Sequence, residues 1–277
     1  MRFSQIDVFT DEFLLGNPVA VVHDADTLDD ATMAAFARWT NLSETTFLLS
    51  PTDPAADYRL RIFTAAGELP FAGHPTLGSA RAWLEAGGVP HRSSELVQEC
   101  GVGLVRVRIT DQRLAFAAPP RLRSGPVSEA DLAAVLDGLG LRPDEILGAQ
   151  WADNGPGWLA VLLRGADAVL ALQREELRLD GVPNIGVVGA YPPGSPAQYE
   201  VRAFVSREGE DPVTGSLNAS IAQWLIGAGI APRSYLASQG TRLQRRGRVS
   251  VEAVGDDIWV GGGTVVGITG EVALGAD

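Results

Sequence analysis

Glu44 stands in NLSETTFLL, at the mouth of a run of β-branched and apolar residues. Asn41 and Glu44 have the spacing of a capping box, but TTFLL favours a strand and no helical pattern follows. The carboxyl is therefore either solvated or functional. Burial in an apolar site favours the neutral form of a carboxyl, which suits a group that takes and returns a proton. His74, in FAGHPTLG, is the second candidate. It is either a structural imidazole or an acid/base at the start of a helix, with Pro75 expected at the first helical position. Asp211 and Ser216 share the stretch GEDPVTGS. Asp211 reads as a turn residue before Pro212 or as a substrate ligand, and Ser216 as an N-cap or as a hydroxyl donor.

Other chemistries lack their residues. The chain contains no lysine, and all 22 basic residues are arginine. A lysine Schiff base and the lysine of a phosphate-binding loop are both excluded. His23, His74 and His91 have no cysteine or acid at metal-ligand spacing, so no metal site and no cofactor are expected. GVG at 101–103 lacks the third glycine of a dinucleotide loop, and GGGT at 261–264 reads as a turn between strands. The net charge of −12 argues against nucleic acid and anionic membrane surfaces as partners. RLQRRGR at 242–248 reads as a solvated hairpin. There is no apolar run of transmembrane length, and acids occupy the place of a signal-peptide core. Together with the lone cysteine, Cys100, this predicts a cytoplasmic protein without an intramolecular disulfide.

The elements that position these residues occur twice. YRLRIFTAAGELPFAGHPTLGSARAWLEAGG at 58–88 aligns without a gap on YEVRAFVSREGEDPVTGSLNASIAQWLIGAG at 199–229. The offset of 141 residues gives seven identities in 31 positions, against roughly two by chance. The identities lie in an alternating strand and in a Trp-containing helix, while the turn between them shares nothing. The offset is close to half of 277 residues, which predicts two pseudo-equivalent halves. In this alignment Gly73 and His74 fall opposite Thr214 and Gly215, and Glu44 opposite Ile185. If the halves pack face to face, each aims a helix N-terminus at the other, where a small anion would be gripped.

The remaining elements read as an α+β chain rich in antiparallel strands. Strands are expected at FSQIDVFT, VAVVH, TTFLL, WLAVLLR, IGVVGAY, RVSVEAV, DIWVGG and TVVGITGEVAL, with a hairpin at LVRVRIT and RLAFAA. Helices are expected over 27–39 with Thr27 as N-cap, over 75–87, over 128–140 and over 218–229. APPRLRSGP at 118–126 reads as the linker. The domains are then 1–118, joined by the C-terminal strand 265–277, and 119–264.

GNPVAVV, NLSETTF, RIFTAAGELPFAGHPTLG, EDPVTGS, NGPGWLAV and IWVGGGTVV together resemble the PhzF-like family of the diaminopimelate-epimerase fold. The resemblance covers most of the chain. It implies two pseudo-symmetric domains, each a β-structure around a central helix, with the active site in an interdomain cleft, and it implies a homodimer. For function it implies a cofactor-independent isomerase similar to those acting on trans-2,3-dihydro-3-hydroxyanthranilate. Glu44 is then the acid/base, His74 and Asp211 are further catalytic residues, and Asn17, Gly73, Gly215 and Ser216 bind a small anionic substrate. WADNGPGW and Asp-Pro-Val at 211–213 depart from the phenazine enzymes, so the substrate stays open. Racemases of this fold use a cysteine in each half; the positions near Ala72–Gly73 and Thr214 hold none. Two alternatives remain: an epimerase pairing Glu44 with Asp211, and a non-catalytic protein binding a metabolite or partner.

Overall fold

The computed structural model describes residues 1–110, 113–173, 177–178, 181–205 and 209–274. The chain forms two compact units, Met1–Ala117 with Gly261–Asp277, and Ala118–Val260. The first contains β1 (Arg2–Val8), β2 (Asn17–Val22), α1 (Asp30–Thr40), β3 (Thr45–Leu49), β4 (Tyr58–Phe63), β5 (Glu68–Leu69), α2 (Gly73–Glu85), β6 (Glu95–Cys100), β7 (Gly103–Thr110) and β8 (Arg113–Ala117). The second contains β9 (Arg123–Pro126), α3 (Glu129–Leu139), β10 (Ile146–Asp153), β11 (Trp158–Leu163), α4 (Ala166–Ala171), β12 (Asn184–Ala190), β13 (Tyr199–Val205), β14 (Gly209–Asp211), α5 (Gly215–Gly227), β15 (Ser234–Gln239) and β16 (Gly247–Val254). The last strand, β17 (Asp257–Glu271), starts in the second unit and ends in the first.

In the first unit the strands close on themselves. β1 pairs with β2, β2 lies parallel to β3, β3 pairs with β4, and β4 lies parallel to β6. β6 pairs with β7, β7 with β8, β8 with β17, and β17 with β1. α2 packs against β1, β2, β3, β4, β6 and β8, so it runs inside this ring. Its sequence permits that position. Every residue from Gly73 to Ala82 is buried, and small side chains allow the strands to come close. In the second unit β9 to β13 form a ladder with a parallel β11–β12 step, continued by β15 parallel to β13 and by β16. α5 packs against β10 and β16 and is buried from Gly215 to Ala222.

The repeat is present, with a change of register that a gapless alignment misses. Phe63 pairs with Glu68, and Phe204 pairs with Glu210. The connection in the second copy is therefore one residue longer, and the offset becomes 142 beyond it. Both helices run for 13 residues, so Gly73 corresponds to Gly215 and His74 to Ser216. Each hairpin is clamped in the same way. Arg61 grips Glu68 at 2.8 and 2.7 Å, and Arg202 grips Glu210 at 2.8 and 2.8 Å. Each guanidinium also lies over the nearby phenylalanine, Phe63 or Phe204. The second clamp is buried, and a bare buried ion pair would be destabilising. Arg202 avoids this by donating also to the carbonyls of Val169 and Leu172, at the C-terminal end of α4.

Four other expectations change. The N-cap of α1 is Asp29, which accepts from the Thr32 N–H at 2.8 Å, and not Thr27, which ends a short 3₁₀ turn. α2 and α5 begin two and three residues earlier than expected, which makes Pro75 the third helical residue. The linker stretch supplies β9, which pairs with β10. GGGT at 261–264 is not a turn but lies within β17. A Cβ at Gly261 would stand 2.4 Å from the Leu114 carbonyl oxygen, and one at Gly263 would stand 2.5 Å from that of Thr10. These glycines permit close approach of backbones. Among the described residues no helix is long and apolar enough to cross a membrane.

Gly78 tests the packing of α2. A Cβ there would lie 2.3 Å from Val19 Cγ1 and 3.1 Å from Val8 Cγ2, both on stiff buried side chains. Gly78→Ala gains about 1 kcal/mol of helix propensity. Overpacking is expected to outweigh that gain and leave the protein about 1–2 kcal/mol less stable in urea unfolding. A more stable variant would show that α2 is loosely held.

Candidate active site

In the first unit three polar residues converge at the start of α2. Asn17 opens β2 directly after Gly16, whose N–H is held by the buried Asp7 carboxylate at 3.2 Å. Glu44 immediately precedes β3, fixed on one side by the Ala20–Thr45 register and on the other by Thr45–Phe63. His74 is the second residue of α2, rather than lying before the helix, and is only 3% exposed. Its Nε2 lies 3.3 Å from Glu44 Oε2, and its Nδ1 lies 3.4 Å from Asn17 Nδ2.

Burial sets the charge of this group. It pushes the His74 pKa down to about 3, against the opposing effect of a hydrogen bond to the Pro18 carbonyl. The ring is therefore neutral near pH 7. Nε2 makes no aligned hydrogen bond. An imidazolium at this distance would hold the glutamate as its counter-ion; the neutral ring does not.

The second unit builds a different constellation at the start of α5. Asp211 is the last residue of β14, and its carboxylate accepts a hydrogen bond from the Thr214 hydroxyl at 2.5 Å. Thr214 is the N-cap residue, which corrects the N-cap reading of Ser216, and Ser216 lies in the first turn. Trp158 Nε1 donates to Ser216 Oγ at 3.1 Å, so the hydroxyl proton remains available to another acceptor. Asn154 Nδ2 and Ser220 Oγ donate to the Ser216 carbonyl at 2.9 and 3.0 Å. Sequence reasoning missed Thr214, Asn154, Trp158 and Gln239 as parts of this arrangement. Asn154 and Trp158 lie in NGPGW, whose Asn and Gly signal a turn, but no spacing rule connects them to Ser216.

The β-ladders correct one further correspondence. Thr45 pairs with Phe63 as Ile185 pairs with Phe204. The counterpart of Glu44 is therefore Asn184 rather than Ile185. Asn184 donates to the Pro156 carbonyl at 2.7 Å, and an amide cannot carry a proton in its place.

Several proteins similar to this chain are named isomerases. "Antisense-enhancing sequence 1" of Schizosaccharomyces pombe is 36% identical over 290 residues, spanning 97% of this chain and 97% of that protein. The trans-2,3-dihydro-3-hydroxyanthranilate isomerase of Pseudomonas aeruginosa is 34% identical over 264 residues, spanning 92% and 91%. A PhzF-family phenazine biosynthesis protein of Enterococcus faecalis has the same fold, with a TM-score of 0.80 over 99% of each chain at 24% identity. These similarities define an enzyme of the isomerase and epimerase class. The phenazine biosynthesis-like (PhzC-PhzF) family model matches residues 6–273, and the chain belongs to that family.

The buried imidazole predicts a pH dependence of stability. With the folded-state value near 3 and the unfolded value near 6.5, only the unfolded chain binds this proton between those limits. Stability attributable to His74 is complete above pH 6.5 and falls with pH below it, at up to about 1.4 kcal/mol per unit. Urea unfolding of His74→Gln should show a shallower loss than wild type from pH 6.5 to 4. Parallel curves would mean that the ring takes up its proton in the folded protein.

Proposed function

We propose that the chain is a cofactor-independent isomerase that shifts a proton within a small carboxylated, amino-bearing cyclic compound, with Glu44 taking and returning the proton. The observation that carries this reading is the Glu44–His74 contact. A carboxyl group lies 3.3 Å from an imidazole that burial keeps neutral. The contact with His74 therefore does not hold Glu44 as the counter-ion of an imidazolium, which suits a group that exchanges a proton with substrate. The neutral His74 ring, 3.3 Å away, orients the Glu44 carboxyl group. Asn184 in the corresponding place favours a single base working on one face, as a proton shift requires.

Gly73 in the first unit, and Gly215 with Ser216 in the second, are assigned to binding a small anionic substrate. A helix N-terminus, and a hydroxyl with its proton free, are each suited to a carboxylate. Asn17 and Asp211 are assigned to orienting polar groups. The absence of lysine excludes a Schiff base to pyridoxal phosphate or to a carbonyl substrate. The substrate named for the Pseudomonas aeruginosa relative is the first compound to assay, because the two sequences align nearly end to end.

The test is Glu44→Gln assayed on trans-2,3-dihydro-3-hydroxyanthranilate by the absorbance change that accompanies double-bond migration. Loss of a positioned acid/base is expected to lower kcat by about 10²–10⁴ or more, with the melting temperature unchanged and no sensitivity to chelator. Wild-type turnover by the variant would refute the assignment. Run in heavy water, the reaction should place deuterium at one new carbon–hydrogen bond of a product with a shifted double bond. Exchange that interconverts stereoisomers without moving the double bond would instead favour an epimerase using Glu44 and Asp211.

A further inference from the structure

At the start of α5 a chain of hydrogen bonds has only one possible direction. Gln239 is fully buried at the end of β15. Its side-chain oxygen receives the Thr214 backbone N–H at 3.0 Å and Asn218 Nδ2 at 2.8 Å. A backbone N–H can only donate, so the orientation of the Gln239 amide is fixed. Its nitrogen must then point the other way, where it donates to Thr214 Oγ1 at 2.9 Å and to the Asp211 carbonyl at 3.2 Å. The Thr214 hydroxyl, already an acceptor from Gln239, turns its own proton onto Asp211 Oδ2 at 2.5 Å.

We infer that Gln239 is a positioning residue that acts through Thr214 to hold Asp211 as an oriented hydrogen-bond acceptor for substrate. The inference rests on the proposed role of Asp211 and adds what that role lacks, a reason for its direction. The Asp211 oxygen that receives the Thr214 proton is held as an acceptor, and this fixes the direction in which the carboxylate meets a donor on the substrate. The first unit shows what the turn looks like without this device. Leu69, the counterpart of Asp211, pairs with Ile62 as Asp211 pairs with Ala203, and the N-cap of α2 is Ala72. Neither residue can relay a hydrogen bond.

Two substitutions break the relay at different points. Thr214→Val removes the hydroxyl at constant shape. Gln239→Glu still accepts the Thr214 N–H but replaces the donating amide nitrogen with an oxygen that competes for the Thr214 proton. Assayed on trans-2,3-dihydro-3-hydroxyanthranilate, each should lower kcat/KM by about 10- to 100-fold, the usual consequence of losing a hydrogen bond to a charged group. Thr214→Ser should restore most of the loss. Because the relay acts through Asp211, Thr214→Val should add little to Asp211→Asn, whereas a merely structural role would make the two losses multiply. Crystal structures of Thr214→Val and Gln239→Glu, which need no substrate, should show the Asp211 carboxylate displaced while the 209–218 backbone stays in place. An undisplaced carboxylate, or full activity of both variants beside an impaired Asp211→Asn, overturns the relay alone. Full activity of Asp211→Asn overturns the role of Asp211 itself, and the relay's function with it.

Discussion

The structure depends on two helices buried along most of their length that begin without a side-chain cap. The first N–H groups of a helix have no partners within it, and on a protein surface water supplies them. α2 and α5 are enclosed from their first residues, and neither Ala72 nor Thr214 caps its helix through a side chain. In α5 the Thr214 N–H is taken by Gln239, which lies 25 residues further along the chain. Groups further into each first turn point their positive ends outward, where an anion is the natural partner. In the proposed function the anionic group of the substrate is the partner of these helix starts.

The two copies of the motif share a scaffold and divide the chemistry. The shared part is the arginine clamp that fixes strand to hairpin, Arg61 with Glu68 and Arg202 with Glu210. The divided part is what stands beside each helix start. One copy holds Glu44, His74 and Leu69; the other holds Asn184, Ser216 and Asp211. The extra residue between Phe204 and Glu210 belongs to the same divergence, because it lies in the hairpin that leads into Asp211. A duplicated scaffold can change its turns while keeping its clamps, since each clamp takes its partners from its hairpin strands and a neighbouring helix and none from the turn before the buried helix.

Much of this was legible in the sequence, and the failures have physical causes. Alternation of apolar residues located the strands that are half-buried or fully buried, because side-chain direction in a strand has a period of two. Glu44 stands out at the mouth of an apolar strand, and His74, Asp211 and Ser216 stand out in the turns before expected helices. Helix starts were misplaced because Gly73 and Gly215 look like breakers, and it is close packing that makes them helical. The glycines of GGGT were taken for a turn for the same reason, although they allow strands to touch. The inserted residue was invisible because the pairing partners that reveal it, Glu68 and Glu210, sit in a turn with no identities. Gln239 carried no signal at all: its role depends on contacts with residues 21, 25 and 28 positions away, which only the fold brings together.

The residues that hold the scaffold and those proposed to move protons are chemically separate. The clamps use arginine, whose guanidinium keeps its proton across the whole range in which an enzyme works, and the Glu68 and Asp30 carboxylates beside Arg61 raise its pKa further. A lysine in the same place would titrate more readily once buried, and this chain has none. The Glu44–His74 contact has the opposite character. His74 is denied its charge by burial, and Glu44 lies against a neutral ring instead of a cation. The clamp cations therefore keep their charge where the His74 ring does not, and the proton exchange proposed for Glu44 leaves the arginines that fix strand to hairpin unchanged.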